Sequence, residues 1–164
     1  MARISAETAG GVNVLAFLDM VAFSEIGLYL LSASDDGYNI LVGSTPEKPK
    51  LFYDYSHHPR ILNRDLDSTA AGRYQIIWPT WSKLLSRHGY MDFGPENQDY
   101  AAIDLLKGRN AYDVIANGGD VELGIHLCRE EWASLPGAGY GQHENKLANL
   151  VAYYSGAIGK YTTT

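Results

Sequence analysis

Val14-Leu15-Ala16-Phe17-Leu18-Asp19-Met20-Val21-Ala22-Phe23-Ser24-Glu25 decides how the rest of this chain is read. Val14, Phe17, Leu18, Val21 and Ala22 follow the i, i+3, i+4, i+7, i+8 series of an amphipathic helix. The next position of that series is Glu25. A carboxylate on a core-facing stripe has to be paired, kept neutral or held at the lip of a cavity, because an isolated buried charge is costly. Gly27 is placed to end the helix, which puts Glu25 in the last turn, at the negative end of the helix dipole. The dipole and apolar surroundings both favour the protonated acid, so Glu25 is expected to hold its proton to a higher pH than a free glutamate. A general acid working near neutrality needs that property. A structural glutamate, hydrogen-bonded to nearby backbone or to a tyrosine, satisfies the same pattern.

The 164 residues suffice for one domain, 1–164, with a substantial core and with loosely ordered ends at 1–11 and 160–164. A composition of 46% hydrophobic and 20% charged residues is that of an ordinary globular protein. The formal net charge of −6 argues against a nucleic-acid binder, which needs a basic face to neutralise phosphates. Cys128 is the single cysteine, so an internal disulfide is excluded. The 12 tyrosines and 3 tryptophans offer flat faces with polar tips, suited to sugar-ring stacking as well as to packing. Asp19 and Glu25 interrupt the apolar run near the N-terminus. They speak against an export signal and, with Gly10, Gly11 and Asn13, against a membrane span over 10–31. The product is therefore expected to be cytoplasmic when made, with no stable membrane insertion.

Beyond Gly27 the run Leu28-Tyr29-Leu30-Leu31 leads into a polar turn, Ser32 to Gly37. Tyr38–Val42 and Leu51–Tyr55 have strand character and are expected to pair as a short antiparallel hairpin. Helical spacing returns over Gln75–Arg87, and Gly94-Pro95-Glu96 opens a helix reaching about Gly108. A short helix ends at Asn117-Gly118-Gly119, and Asp120 caps a helix over Val121–Trp132. The glycine-rich stretch Leu135–Gly141 precedes a final helix from about Gln142, with Leu147, Leu150, Val151, Tyr154 and Ile158 on one stripe. The fold class is thus α+β: a mostly helical domain with one small antiparallel sheet beside the first helix.

Ser68-Thr69-Ala70-Ala71-Gly72-Arg73-Tyr74-Gln75 combines small residues, which let backbone approach a ligand, with donors and a flat ring. A loop-to-helix junction favours the same residues. Joined to other stretches it says more. Ala16–Glu25, Gly37–Gly43, Tyr53–Arg60, Gly72–Gln75, Gln98-Asp99 and Trp132–Gln142 together resemble the lambda-type phage endolysins, in the same order and at similar spacing from about Ala16 to about Ala152. The resemblance implies a lysozyme-like fold and a lytic transglycosylase of family 4. Such an enzyme cleaves the bond between N-acetylmuramic acid and N-acetylglucosamine in peptidoglycan without water as the acceptor. It implies Glu25 as the catalytic acid, and groove motifs matching Tyr38, Tyr74, Gln75 and Tyr140. Ser24, Asn39, Asp54, Arg73 and Gly139, from the same blocks, complete the expected substrate-binding set. No cofactor and no metal is implied. The implied partners are peptidoglycan glycan strands and a holin-type pore for passage to the wall, and the implied state is a monomer.

The implied chemistry agrees with the reading of Glu25. The acid protonates the glycosidic oxygen, and the resulting carboxylate takes a proton from the muramic 6-hydroxyl as it closes a 1,6-anhydro ring. The chain departs from the family in two places. Ile26–Leu31 replaces a glycine and polar residues, which predicts a greasier groove wall or lid, and Asn39 stands where aspartate is frequent. Three rivals stand beside this reading. A hydrolytic muramidase would need a second carboxylate facing Glu25, with Asp35, Asp36 and Asp54 as candidates. A zinc amidase would draw on His57, His58, His88, His126, His143 and Cys128, but these show no recognisable ligand spacing. The third is a glycan-binding virion protein without turnover.

Overall fold

The computed structural model describes residues 1–141 and 143–163. Its helices, in chain order, are α1 (Ala6–Ala9), α2 (Val12–Ile26), α3 (Leu28–Ser32) and α4 (Trp78–His88). They continue with α5 (Pro95–Gly108), α6 (Tyr112–Ala116), α7 (Val121–Cys128) and α8 (Leu147–Thr162). None is long and apolar enough to cross a membrane.

The helix that carries Glu25 is not amphipathic. Every residue from Val14 to Ala22 is buried, including Leu15, Ala16, Asp19 and Met20, which the stripe would have turned to solvent. The reason is its central place: α8 packs along it, and α1, α3, α5 and α6 close the remaining sides. A helix covered all round has no polar face to present. Gly27, at φ +82, ends it as expected, donating its N–H to the Phe23 carbonyl at 2.9 Å.

The N-terminal arm is docked rather than loose. Ser5 caps α1 by accepting from the Thr8 N–H. Ala2 N–H donates to Asp19 Oδ1 at 2.9 Å, and the N–H groups of Arg3 and Ile4 donate to Asp99 Oδ2 at 2.7 and 3.1 Å. At the other end α8 starts at Leu147, later than the expected Gln142 because 143–146 are not helical, and runs regularly to Thr162; Gln142 itself and the terminal Thr164 lie outside the described residues.

The expected small sheet is not formed as such. Among the described residues there are only isolated antiparallel bridges: Ile40 with Leu51, Leu41 with Ala71, Ala71 with Ile76, and two tight turns further out. The two expected strands do meet, since Leu41 N–H donates to the Lys50 carbonyl and Phe52 N–H to the Asn39 carbonyl. Each run pairs for too few residues to become a ladder, because Gly37, Gly43 and Pro49 break the backbone close by. The Ala71–Ile76 turn also delays α4. Its backbone closes on itself (Ala71 N–H to the Ile76 carbonyl 3.2 Å, the reverse 3.0 Å), so the helix starts at Trp78 instead of Gln75. Further along, α5 opens with Pro95 and Glu96 in its first turn, and Asp120 caps α7 through the N–H groups of Glu122 and Leu123. The latter helix stops at Cys128, short of the expected Trp132.

Two buried carboxylates tie these pieces together. Asp19 accepts from Arg73 Nη2 at 2.7 Å and from the Tyr161 hydroxyl at 2.8 Å. Asp99 accepts from the hydroxyls of Tyr38 at 2.8 Å and Tyr74 at 2.5 Å. Arg73 is 1% exposed and Asp99 is wholly covered, so neither charge has water to fall back on. Removing one partner of such a pair strands the other. Asp19→Ala is therefore expected to lower the unfolding free energy by about 3–5 kcal/mol in a urea titration. A loss under about 1 kcal/mol, the range of exposed pairs, would show that this pair does not hold the arrangement together.

Candidate active site

Glu25 occupies the last full turn of α2, and that turn is pinned: Phe23 stacks on Tyr153 of α8 with ring centroids 4.3 Å apart and planes 2° from parallel. The carboxyl group is partly buried and lines a cleft of about 550 Å³. Gln75, Ser68, Glu131, Trp132 and His143 line the same cleft. A smaller cavity of about 350 Å³ adjoins it, sharing Gln75, Glu131 and Trp132 and adding Arg109 and Tyr140. Trp132 Nε1–H donates to the Tyr74 carbonyl at 3.0 Å, which fastens the segment after α7 to the Ala71–Ile76 turn.

Desolvation pushes the pKa of Glu25 up to about 7, against the weaker, opposing effect of Ser134. The Ser134 hydroxyl donates to Glu25 Oε1 at 2.6 Å. Behind it, Ser24 Oγ lies 2.8 Å from Ser134 Oγ, and Asn145 Nδ2 donates to the Ser24 carbonyl at 2.9 Å and to Ser24 Oγ at 3.1 Å. Near neutral pH the acid is thus poised between its two protonation states.

Gln75 is the second expected residue at the cleft. It sits at φ +48, a left-handed conformation unusual for a residue with a side chain. Its Nε2 donates to the carbonyl of Gly72 at 2.8 Å, which fixes the amide so that the oxygen is the end left for a ligand. Gly72 beside it, at φ +79, tolerates no side chain, because a Cβ would lie 2.2 Å from Gln98 Oε1. Tyr140, 56% exposed, reaches the adjoining cavity and donates its hydroxyl to the Glu130 carbonyl at 2.9 Å. Gly139 lies on the same loop, its N–H bonded to Glu144 Oε1 at 3.0 Å.

The other expected contact residues do not reach the cleft with their side chains. Tyr38 and Tyr74 are wholly buried on Asp99, and Arg73 lies between Asp19 and Asp36, 2.7 and 3.0 Å away. These groups hold the core: both hydroxyls and the Arg73 Nη1 and Nη2 groups are already engaged there. Ser24 is buried and faces Ser134 and Asn145. Asn39 is buried too, accepting the Asp35 N–H at 2.9 Å. Asp54 is exposed and away from the cleft lining; its bond from Ser56 holds its carboxyl below the usual carboxylate range. None of the three acids proposed as a second carboxylate lines the cleft. Asp35 is bound by Arg3 and the Tyr55 hydroxyl, each at 2.7 Å, and Asp36 by Arg73.

The acid that does share the cleft with Glu25 is Glu131, held by Arg109 Nε at 2.9 Å. Sequence reading assigned no role to Glu131, Ser134 and Asn145, and considered His143 only as a zinc ligand. Ser134 stood inside the Trp132–Gln142 block, and that was the available signal; Asn145 carried none. The apolar run after Glu25 folds as α3, with Leu28 and Tyr29 exposed and outside the cleft lining, so it is not a greasy groove wall.

The family model described as Endolysin matches residues 15–161. The chain is 41% identical to the endolysin of Escherichia phage P2 over 155 residues, covering 90% of this chain and 93% of that one. It is 43% identical to the endolysin of Escherichia phage lambda over 148 residues, covering 88% and 90%. The structure of bacteriophage lambda lysozyme complexed with a chitohexasaccharide superposes with a TM-score of 0.78 at 39% identity, over 96% of this chain and 97% of that one. A second structure of lysozyme from bacteriophage lambda gives a TM-score of 0.66 at 34% identity, over 99% and 96%. The fold is therefore mostly helical and lysozyme-like, and the family read from the ordered sequence blocks is the one these matches give. This chain belongs to the endolysin family.

Proposed function

We propose that the protein is a peptidoglycan lytic transglycosylase that cuts the bond between N-acetylmuramic acid and N-acetylglucosamine during host lysis. The observation that carries this reading is the cleft with one acid, Glu25, raised to about 7, while the other acid on its lining, Glu131, is held by Arg109. A protonated Glu25 gives its proton to the glycosidic oxygen as the C1–O4 bond breaks. The muramic 6-hydroxyl attacks C1, the C1–O6 bond forms, and the hydroxyl proton passes to the Glu25 carboxylate, which restores the acid. The nucleophile is already attached to the substrate, so no water needs activation. Positive charge developing on the sugar faces the fixed amide oxygen of Gln75 and is eased by the substrate's own N-acetyl group. The enzyme works as a monomer on glycan strands and reaches them through a holin-type pore.

A hydrolytic muramidase is the second reading, and the observation favouring it is that Glu131 lines the same cleft. It would require that carboxylate to leave Arg109 and serve as base or nucleophile. Digestion of peptidoglycan in heavy-oxygen water separates the two. The expected outcome is an unlabelled 1,6-anhydro muramic end by mass spectrometry, whereas one label per new reducing end would establish hydrolysis.

Glu25→Gln is expected to reduce lytic turnover at least about a hundredfold while the fold is kept. The same variant reports on burial. Glu25 binds its proton more tightly in the folded state, at about 7 against an ordinary 4.5, so the wild type loses stability as pH rises through that interval. The variant should accordingly match the wild type in urea at pH 4 and exceed it above pH 7 by up to about 3 kcal/mol. Equal stabilities at both pH values would mean that Glu25 is not desolvated.

A further inference from the structure

We infer that Ser134 is the positioning residue of Glu25 and that Asn145, through Ser24, sets the direction of its hydrogen bond. This rests on reading Glu25 as the acid. The direction follows from which atoms can only donate or only accept. Asn145 places one side-chain atom 2.9 Å from the Ser24 carbonyl oxygen, which can only accept. That atom is therefore the amide nitrogen, and its other hydrogen goes to Ser24 Oγ at 3.1 Å. With this bond accepted, Ser24 turns its own hydrogen toward Ser134 Oγ at 2.8 Å. Ser134 then has its hydrogen free for Glu25 Oε1 at 2.6 Å.

The order Asn145 → Ser24 → Ser134 → Glu25 has consequences for the acid. Oε1 is engaged as an acceptor, so the acidic proton resides on Oε2. One face of the carboxyl group is thereby committed to the protein and the other is left for the glycosidic oxygen. After proton transfer the same donor remains on the carboxylate, a bond stronger to the ionised form than to the neutral one. The arrangement is also mechanically closed: Asn145 N–H donates to the Ser134 carbonyl at 2.8 Å, joining both ends of the glycine-rich loop behind the acid. The other titratable groups on the cleft are Glu131, paired with Arg109, and His143. A site-specific readout keeps them apart from Glu25.

The test is a carbon-detected NMR titration of the Glu25 carboxyl group in the whole protein, beside kcat and KM on glycan strands. Ser134→Ala should move the Glu25 midpoint upward by about one pH unit, since a donor to the charged form is lost. It should also carry the alkaline limb of kcat the same way, and lower kcat at least about tenfold with KM nearly unchanged. Ser134→Thr keeps the hydroxyl and should restore midpoint and turnover. Asn145→Leu, neutral and similar in volume, should shift the midpoint in the same direction by less, although Ser134 is still present. A wild-type midpoint in Ser134→Ala, or equal behaviour of the alanine and threonine variants, overturns the positioning role. A wild-type midpoint in Asn145→Leu overturns the directed chain, and decides the matter even if Ser134→Ala does not fold. Full activity of Glu25→Gln would instead defeat the functional reading, while the NMR midpoints would still report on the hydrogen bonds.

Discussion

Burying two carboxylates in the middle of a small helical protein is the constraint on which this architecture turns. Asp19 and Asp99 are each almost inaccessible to water, so every lone pair has to find a donor from the chain. The donors come from widely separated segments: Ala2, Arg3 and Ile4 of the arm, Tyr38 after the polar turn, Arg73 and Tyr74 of the tight turn, and Tyr161 of α8. Each bond is small beside the cost of leaving its carboxylate unmet. The arm, the central helix, the bridged loops and the last helix are thereby fixed against one another. The cleft inherits its shape from this, because the turn that holds Arg73 and Tyr74 in the core also presents Gln75 to the cleft.

That double use explains where sequence reading succeeded and where it slipped. The blocks Gly72–Gln75 and Gly37–Gly43 mark segments that build this fold, and that much was legible. Which side chains of a block face the ligand was not. Arg73, Tyr74 and Gln75 are consecutive, yet Gln75, at φ +48, lines the cleft while its two neighbours are buried. A tyrosine with a polar tip suits a sugar groove and a buried carboxylate equally well, and only the position of Asp99 decides between them. Tyr38 and Tyr74 went to the carboxylate.

The helices were legible because their signals are local: Gly27 as a stop, Pro95 at a first turn, Asp120 as a cap. The burial of α2 was less so. An apolar stripe predicts the side that meets the core, but a helix enclosed by five others has apolar residues wherever it is covered, and Leu15 and Met20 were there to be read in that way. Isolated bridges instead of a sheet reflect pairing too short to repeat, a matter of how far two runs stay side by side. The donors around Glu25 were the least legible, since Ser134 and Asn145 lie 109 and 121 residues from the groups they meet. No local pattern encodes a contact at that separation.

In the proposed reaction Glu25 has to act as an acid and, within the same turnover, as a base. Burial alone serves only the first half: it favours the neutral form and would leave a carboxylate too basic to give its proton up readily. A cation beside it would overcorrect, since an opposite charge at contact lowers a carboxyl pKa by about 1–3 pH units and would leave it ionised at neutrality. A second carboxylate at contact would drive it further upward. A neutral hydroxyl is the partner that trims the effect of burial without cancelling it, and Ser134 supplies one at 2.6 Å. Two partly or wholly buried cations respect the same logic: Arg73 is bound to Asp19 and Asp36, and Arg109 to Glu130 and Glu131. The acid is left between desolvation, which raises it, and the neutral donors of Ser134, which lower it, and that balance sets it near 7.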